Sequence, residues 1–276
     1  MYADDVKIYK TVRNVEDSKS IQAAIDYVCE WSDMWNLPLS AEKTTVFRLG
    51  NSKRDVTYKV GNVNLQFVDH VRDLGFLINN KLSFDDHYKS LVNKANYRTY
   101  NLFKALKTKN SHILLKAYKT YVRPILESAT TVFSPYKKKD ICLLESAQNS
   151  FTRKLIMRCS GLSYELIPNG EERCKQLGLL SLASRRKTND IIMAFKILTG
   201  RANIDCGGFF VLMSSRTRGG RLKLHAPLAK TQIRASFFSN RILSTFNKVL
   251  RNHGVLTMSL KRFRNVARAV VSAEVS

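Results

Sequence analysis

The sequence predicts an α+β fold, in which a first section of short strands and one helix is followed by a mainly helical section. Apolar residues alternate in short runs between about residues 43 and 78, which is strand periodicity. From about residue 84 they recur every three to four positions instead, which is typical of amphipathic helices. Glycines and basic residues then become frequent after Thr199-Gly200. We therefore expect three parts, at residues 1–82, 83–200 and 201–276.

The charge balance predicts a polyanionic partner. The 276 residues contain 46 Lys and Arg against 22 Asp and Glu, a formal net charge of +24. Nucleic acid is the first expectation for such a partner and a membrane surface is the second. The 14 Lys and Arg residues after residue 200 stand against only two acids, Asp205 and Glu274.

Several absences in the sequence point to a soluble intracellular protein of the cytoplasm or nucleus. No apolar run approaches the ~20 residues that cross a bilayer, so no membrane-spanning segment is expected, and nucleic acid is preferred to a membrane as the partner. Acids at positions 4 and 5 do not fit a secretory signal peptide. The five cysteines are scattered and odd in number, which favours a reducing compartment over a disulfide framework.

Two adjacent carboxylates open the chain, in Tyr2-Ala3-Asp4-Asp5. The alternating run Val6-Lys7-Ile8-Tyr9 follows at once, so these four residues predict the turn of a β-hairpin. A divalent cation such as Mg²⁺ relieves the repulsion between neighbouring carboxylates and keeps coordination sites open for phosphate, as nucleotidyl transfer requires. From these residues alone an ordinary solvated acidic turn is the favoured interpretation, because acidic turns are common.

The rest of the first section predicts one helix and a strand meander. Capping chemistry at Val15-Glu16-Asp17-Ser18 begins a helix that ends near Pro38 and packs on the sheet carrying the acids. Strands are expected at residues 43–49, 56–60 and 63–67. The link Gly61-Asn62 favours a type II′ hairpin between the last two. A further strand is expected over residues 70–78, bent near Gly75.

The second section predicts basic helices. Ser83 and the acids after it begin the first. Its apolar face is predicted to contain Leu91, Ala95, Tyr100, Phe103 and Leu106, and its basic face Lys89, Lys94, Arg98, Lys104 and Lys107. This basic face either contacts phosphates or is simply solvated.

Further helices are expected over residues 113–132 with a break at Pro124, from Lys137 onward with a core stripe, and as a pair within residues 173–198. The members of that stripe are Ile141, Leu144, Ala147, Phe151 and Leu155. The basic segment at residues 215–221 is either a phosphate-binding loop or a linker.

In order and spacing, these motifs resemble the reverse transcriptase of non-LTR (LINE-type, CR1/Jockey-like) retrotransposons. Tyr2-Ala3-Asp4-Asp5 is similar to the catalytic hairpin of that family. The segment at residues 31–44 resembles the one that carries the palm lysine, and Asp73-Leu74-Gly75-Phe76 resembles the primer-grip turn. Residues 121–127 and 144–148 are similar to the region after the palm.

The resemblance implies a partial polymerase palm, followed by a helical thumb-like region and a basic C-terminal region. It implies that Asp4 and Asp5 bind catalytic Mg²⁺ and that Lys43 lies near the phosphates of the incoming dNTP. It also implies that Tyr2 lies beside the RNA template and the DNA primer, and that the turn at Asp73, Leu74 and Gly75 holds the primer end. Lys94 and Arg98 are expected to contact nucleic acid on a different ground, the basic face of the first helix in the second section.

The resemblance also sets an expectation about activity. The family uses another metal-binding aspartate and a basic fingers region upstream of the hairpin, whereas Met1 directly precedes Tyr2 here. We therefore expect the chain alone to lack polymerase activity. The alternative is a non-catalytic basic protein that binds nucleic acid.

Overall fold

The computed structural model describes residues 5–50, 56–214, 222–251 and 254–274. Helices predominate over short strands in these ranges, so the α+β class is confirmed at that level. The chain divides into two units, Met1–His87 and Tyr88–Ser276.

The described residues of the first unit form one long helix and six short strands. They are α1 (Val15–Met34), β1 (Thr45–Phe47), β2 (Lys59–Val60), β3 (Val63–Asn64), β4 (Gln66–Val68), β5 (His70–Asp73) and β6 (Phe76–Asn79). Helix α1 begins at a capping box, in which the Asn14 side chain accepts from the Asp17 N–H at 2.8 Å and the Asp17 carboxylate accepts from the Asn14 N–H at 3.3 Å. The predicted helix is thus confirmed, and its C-cap is Trp35.

Helix α1 contacts β2 through the Gln22 side chain, which forms hydrogen bonds to the backbone of the strand as a neighbouring strand would. The Gln22 amide donates to the Lys59 carbonyl at 3.0 Å, and its oxygen accepts from the Lys59 N–H at 2.9 Å. Gln22 thereby satisfies both backbone groups of a residue in a very short strand. Packing of α1 on a sheet carrying Asp4 stays a prediction, because residues 1–4 lie outside the described ranges.

The strands pair differently from the predicted meander. The hairpin β2–β3 is confirmed, and Gly61 takes the positive φ of +55° that its turn requires. Strand β1, however, pairs with β4 in parallel. The predicted meander pairs β1 antiparallel with the next strand in sequence, β2. Instead β2 pairs with β3, and the chain that continues from this hairpin into β4 runs in the same direction as β1.

Two other strand predictions were wrong. Residues 70–78 form the hairpin β5–β6 and not one bent strand, because Leu74 and Gly75 reverse the chain between Asp73 and Phe76. The run from Val6 to Tyr9 is not a strand; an isolated β-bridge at Asp5 precedes it. A strand needs backbone hydrogen bonds to a neighbouring strand. Among the described residues no strand pairs with this run, and the side chain of Tyr9 is 92% exposed to solvent.

The second unit is mainly helical. After α2 (Asp85–Ala105), which crosses the division, come α3 (Ser111–Ala117), a π-helical segment (Tyr118–Val122), α4 (Arg123–Leu126), α5 (Lys138–Ser160), α6 (Gly170–Gln176), α7 (Leu182–Leu198), β7 (Val211–Ser214), β8 (Leu222–His225), α8 (Gln232–Ala235), α9 (Phe238–Arg241), α10 (Leu243–Leu250) and α11 (Leu260–Ala273). Strands β7 and β8 pair antiparallel.

The predicted break at Pro124 is confirmed. The π-helical segment runs up to Arg123, and Pro124 lies in the first turn of α4, where the missing N–H is tolerated. The helix ends at Leu126 and does not continue to residue 132 as predicted. The chain turns at Ala129, whose φ of +45° is incompatible with a right-handed helix.

Aromatic side chains mark two cores in this unit. In the first, Phe151 of α5 stacks on Tyr118 with ring centroids 4.2 Å apart and contacts Phe103 of α2 at 5.5 Å. The predicted α5 stripe is confirmed in Leu144, Ala147, Phe151 and Leu155, which are buried. In the second, Phe195 of α7 stacks on Phe263 of α11 at 3.9 Å.

Within the described ranges, no helix is both long and apolar enough to cross a membrane. All five cysteines are free. The basic segment at residues 215–221, interpreted above as a phosphate-binding loop or a linker, lies outside the described residues.

Candidate nucleic-acid interface

Helix α2 buries one face and leaves the other open to solvent. Its buried positions follow helical spacing and are His87, Tyr88, Leu91, Val92, Ala95, Thr99, Leu102 and Phe103. Tyr100 was predicted in this core and is instead 58% exposed, because the buried stripe passes through Thr99 and Leu102 on either side of it. The prediction for Tyr100 was therefore wrong in a way that adds an aromatic ring to the outer surface.

Two tyrosines and three cations share that outer surface. Tyr97 is 68% exposed and lies three positions before Tyr100, so both rings project from neighbouring points of the helix. Lys94, Arg98 and Lys104 are interleaved with them and are also exposed. All three cations were predicted on the basic face from the sequence, whereas Tyr97 was missed.

Lys94, Arg98 and Lys104 lie in a stretch of the sequence that contains no acidic residue. No Asp or Glu occurs between Asp86 and Glu127, whereas nine Lys and Arg residues do. Among the described residues, Lys94, Arg98 and Lys104 form no ion pair. The absence of acids from this stretch is the sequence signal that could have predicted the whole exposed face of α2.

The arrangement suits a polynucleotide. Cations bind phosphates and release counterions, and exposed tyrosine rings stack on unpaired bases. The axial distance from Lys94 to Lys104 is about 15 Å at 1.5 Å per residue, comparable with four steps of a duplex strand at about 3.4 Å each. One helix face thus offers both interactions over several nucleotides.

The end of α2 is held in place by Arg158 of α5. Its guanidinium donates to the carbonyls of Phe103 and Leu106 at 2.8 and 2.7 Å and lies 4.8 Å from the Phe103 ring centroid. A cation at these unpaired carbonyls stabilises the negative end of the helix dipole. The outer face is therefore carried by a helix fixed at its C-terminal end.

In the first unit, the turn at Asp73, Leu74 and Gly75 is the tip of the β5–β6 hairpin. Leu74 and Gly75 have φ of +46° and +86°, as the two central residues of a type I′ turn require. Leucine rarely adopts this conformation, and Leu74 is 51% exposed. The predicted turn is confirmed, and its contact with a primer stays a prediction.

The structure brings part of the acidic N-terminal segment to this hairpin. Lys7 forms an ion pair with Asp73. The chain two residues after Asp5 is thereby attached to the base of the Asp73-Leu74-Gly75 turn. Tyr2 and Asp4 belong to the same segment but lie outside the described residues.

Lys43 lies elsewhere in the first unit. It is exposed in a turn, where its N–H donates to the Ser40 carbonyl at 3.2 Å, two residues before β1. Within the described part of the chain its ammonium group has no ion-pair partner. Its predicted position beside the phosphates of a nucleotide stays a prediction.

The predicted Mg²⁺ site is not assembled by the described side chains. The two predicted ligands are Asp4 and Asp5. The structure describes Asp5, which is exposed to solvent, whereas Asp4 lies outside the described residues. In the ranges that the structure covers, no group of three or more His, Cys, Asp or Glu side chains is arranged to hold a metal ion. We therefore assign no catalytic step through a metal to these residues.

Comparison with known proteins supplies a relative of unknown function. No family model and no solved structure matches the chain. Over 97 residues it is 31% identical to an uncharacterized protein of Caenorhabditis elegans, a match that includes 34% of this chain and 49% of that protein. The chain thus spans about half the length of the curated relative that it matches.

Proposed function

We propose that the chain is a nucleic-acid-binding protein whose main interface is the outer face of α2. The observation that carries this proposal is the combination of Tyr97 and Tyr100 with Lys94, Arg98 and Lys104 on one exposed helix surface. Phosphate contacts supply affinity without sequence preference, and ring stacking favours unpaired bases. A formal net charge of +24 supports the same class of partner.

Within that class, we propose that the chain is the palm, thumb-like and C-terminal part of a non-LTR retrotransposon reverse transcriptase. The order of the sequence motifs supports this, as does the tight turn at Leu74-Gly75. In this proposal Asp4 and Asp5 hold Mg²⁺, Lys43 contacts the phosphates of the dNTP, and RNA template and DNA primer are the partners. The protein then acts inside the cell, in the cytoplasm or nucleus.

The second candidate is a basic protein that binds nucleic acid without catalysis. The excess of Lys and Arg favours it, because that excess is distributed well beyond the motifs that resemble the polymerase. The two candidates differ in what they recognise. A polymerase recognises the junction where a primer 3′ end meets its template, whereas a general binder recognises phosphates alone.

The discriminating experiment is competition binding at fixed salt. A fluorescent RNA carrying a recessed DNA primer is displaced by unlabelled primed RNA, blunt duplex or single-stranded RNA of equal phosphate number. The polymerase proposal expects the primed RNA to compete at least tenfold better than the blunt duplex. Equal competition by all three would contradict it and favour the non-catalytic candidate.

A primer-extension assay tests the expected inactivity. The resemblance requires a third metal-binding aspartate on another strand, whereas the acidic turn supplies only Asp4 and Asp5. We expect no Mg²⁺-dependent dNTP incorporation by the purified chain on primed RNA. Incorporation that Asp4→Ala abolishes would contradict this expectation.

A further inference from the structure

A basic cavity lies in the second unit between α7, α11 and the turn that follows α4. Its volume is about 420 Å³, within the range of small-molecule sites. Its charged lining residues are Glu127, Arg185, Lys196, Arg264 and Arg268. None of these residues belongs to the α2 face.

The cavity has an excess of positive charge. Its one acid, Glu127, is committed to Arg185, whose Nη2 lies 2.9 Å from Oε2, and this hydrogen bond raises the pKa of Arg185. Among the described residues, the remaining cations Lys196, Arg264 and Arg268 form no ion pair. Three positive charges therefore lie around one cavity without a compensating acid.

Packing of α7 on α11 brings these cations together. Phe195 and Phe263 stack with centroids 3.9 Å apart, and each directly precedes a cation of the cavity, Lys196 or Arg264. Arg268 lies one helical turn after Arg264 and therefore on the same side of α11. The site thus rests on a fully buried aromatic contact.

Arg241 holds the part of the cavity wall that is formed by the turn at residues 129–131. Arg241 makes two hydrogen bonds to the buried Asp190 of α7, at 2.8 and 2.9 Å, and donates to the carbonyls of Thr131 and Thr130 at 2.7 and 3.3 Å. The turn at residues 129–131 is thereby tied to α7. Because both walls are held by packing and hydrogen bonds, the backbone around the cavity needs no rearrangement to admit a ligand.

The lining also contains an apolar part, in Leu180, Ile192 and Met193, and polar groups in Thr130 and Asn189. A ligand that uses all of this surface has an anionic group for the cations and a partly apolar body with hydrogen-bonding edges. A nucleoside phosphate has those properties. We propose that this cavity binds the phosphate and base of one nucleotide, either free or at the unpaired end of a strand.

The test is isothermal titration of the full chain with AMP, with adenosine and with short oligonucleotides that carry or lack a 5′-phosphate. The key variant is Arg264→Gln with Arg268→Gln. Its matched control is Lys261→Gln with Arg262→Gln, which removes two exposed charges of the same helix that do not line the cavity. Unchanged melting temperatures of both variants establish that α11 remains folded.

Saturable binding of AMP is expected, with adenosine at least tenfold weaker. The Arg264/Arg268 variant is expected to lose at least tenfold in affinity, and the control less than twofold. The Arg264/Arg268 variant could instead lose affinity for the 5′-phosphorylated oligonucleotide and not for AMP. That result would show that the site binds the end of a strand, and it would also support the proposal. Absence of binding by every phosphate-bearing probe, or equal loss in the control, would overturn it.

Nucleotide binding in the cavity can be tested separately from nucleic-acid binding through α2. Lys94→Gln with Arg98→Gln is expected to leave AMP binding unchanged, because neither residue lines the cavity. Failure of the cavity proposal would leave binding through α2 intact, and the reverse also holds.

Discussion

The α2 interface predicts a defined change in the salt dependence of binding when its cations are removed. The variant Lys94→Gln with Arg98→Gln removes two exposed side chains that make no ion pair within the described residues. Because the buried face of α2 is untouched, folding stability is expected to change by less than about 0.5 kcal/mol. The loss in binding can then be assigned to the contacts themselves.

Its magnitude follows from counterion release. Each neutralised phosphate contributes about 0.9 to the slope of log K against log salt on duplex DNA, and about 0.7 on a single strand. Two contacts therefore reduce the slope by about 1.8 or about 1.4. Between about 50 and 200 mM salt, the affinities of native and variant protein should converge roughly tenfold on duplex DNA.

Fluorescence anisotropy with a labelled duplex and a labelled single strand measures these slopes. The matched control is Lys175→Gln with Lys230→Gln, which removes the same charge from exposed positions outside α2. Its slope should change by less than that of the α2 variant. An unchanged slope in the α2 variant, or an equal decrease in the control, would refute the assignment of phosphate contacts to this face.

Three further predictions concern stability. Leu74→Asn should stabilise the first unit by about 0.5–1 kcal/mol in urea unfolding, because asparagine tolerates the positive φ of +46° at that position; a neutral or destabilising result would contradict the strain. Arg186→Met should stabilise the second unit by about 1–3 kcal/mol, since Arg186 is 3% exposed and its Nη1 and Nη2 have no hydrogen-bond partner among the described residues; clear destabilisation would show that the charge is needed. Burial raises the pKa of Glu274, but hydrogen bonds from Lys187, Lys248 and Thr245 outweigh it and lower that pKa to about 2. The resulting stability is present above the unfolded value near 4.5 and is lost as pH falls toward 2. Thermal unfolding should therefore find Glu274→Gln less stable at pH 6 by about 1–2 kcal/mol, a value reduced for the half-exposed lysines. That gap should close near pH 2, and a gap independent of pH would contradict it.

Local signals in the sequence predicted much of the secondary structure. Acids and a polar cap near Val15, the pair Gly61-Asn62 and Pro124 each act through the backbone of their own neighbours, and each prediction is confirmed. The β5–β6 turn was harder to predict because Leu74 is not a residue that favours positive φ. Only the pairing of β5 with β6 explains its conformation.

Predictions that depended on tertiary context were less successful. The exposure of Tyr100 depends on which turn of α2 meets α5, and helical spacing alone does not determine this. The basic cavity could not have been predicted, because its cations come from Lys196, Arg264 and Arg268 on two helices that are distant in sequence. Residues brought together by packing leave no periodic signal in any one segment.

On α2, Tyr97 and Tyr100 are the aromatic side chains proposed to contact nucleic acid. Photocrosslinking of the full chain to a primed RNA template that contains 4-thiouridine, followed by peptide mass spectrometry, tests this contact most directly. Crosslinks are expected within residues 94–104, with a severalfold loss in Tyr97→Ala with Tyr100→Ala and little loss in a Tyr27→Ala control, which removes an equally exposed ring from α1. Efficient crosslinks that lie outside α2 and persist in the double variant would contradict it.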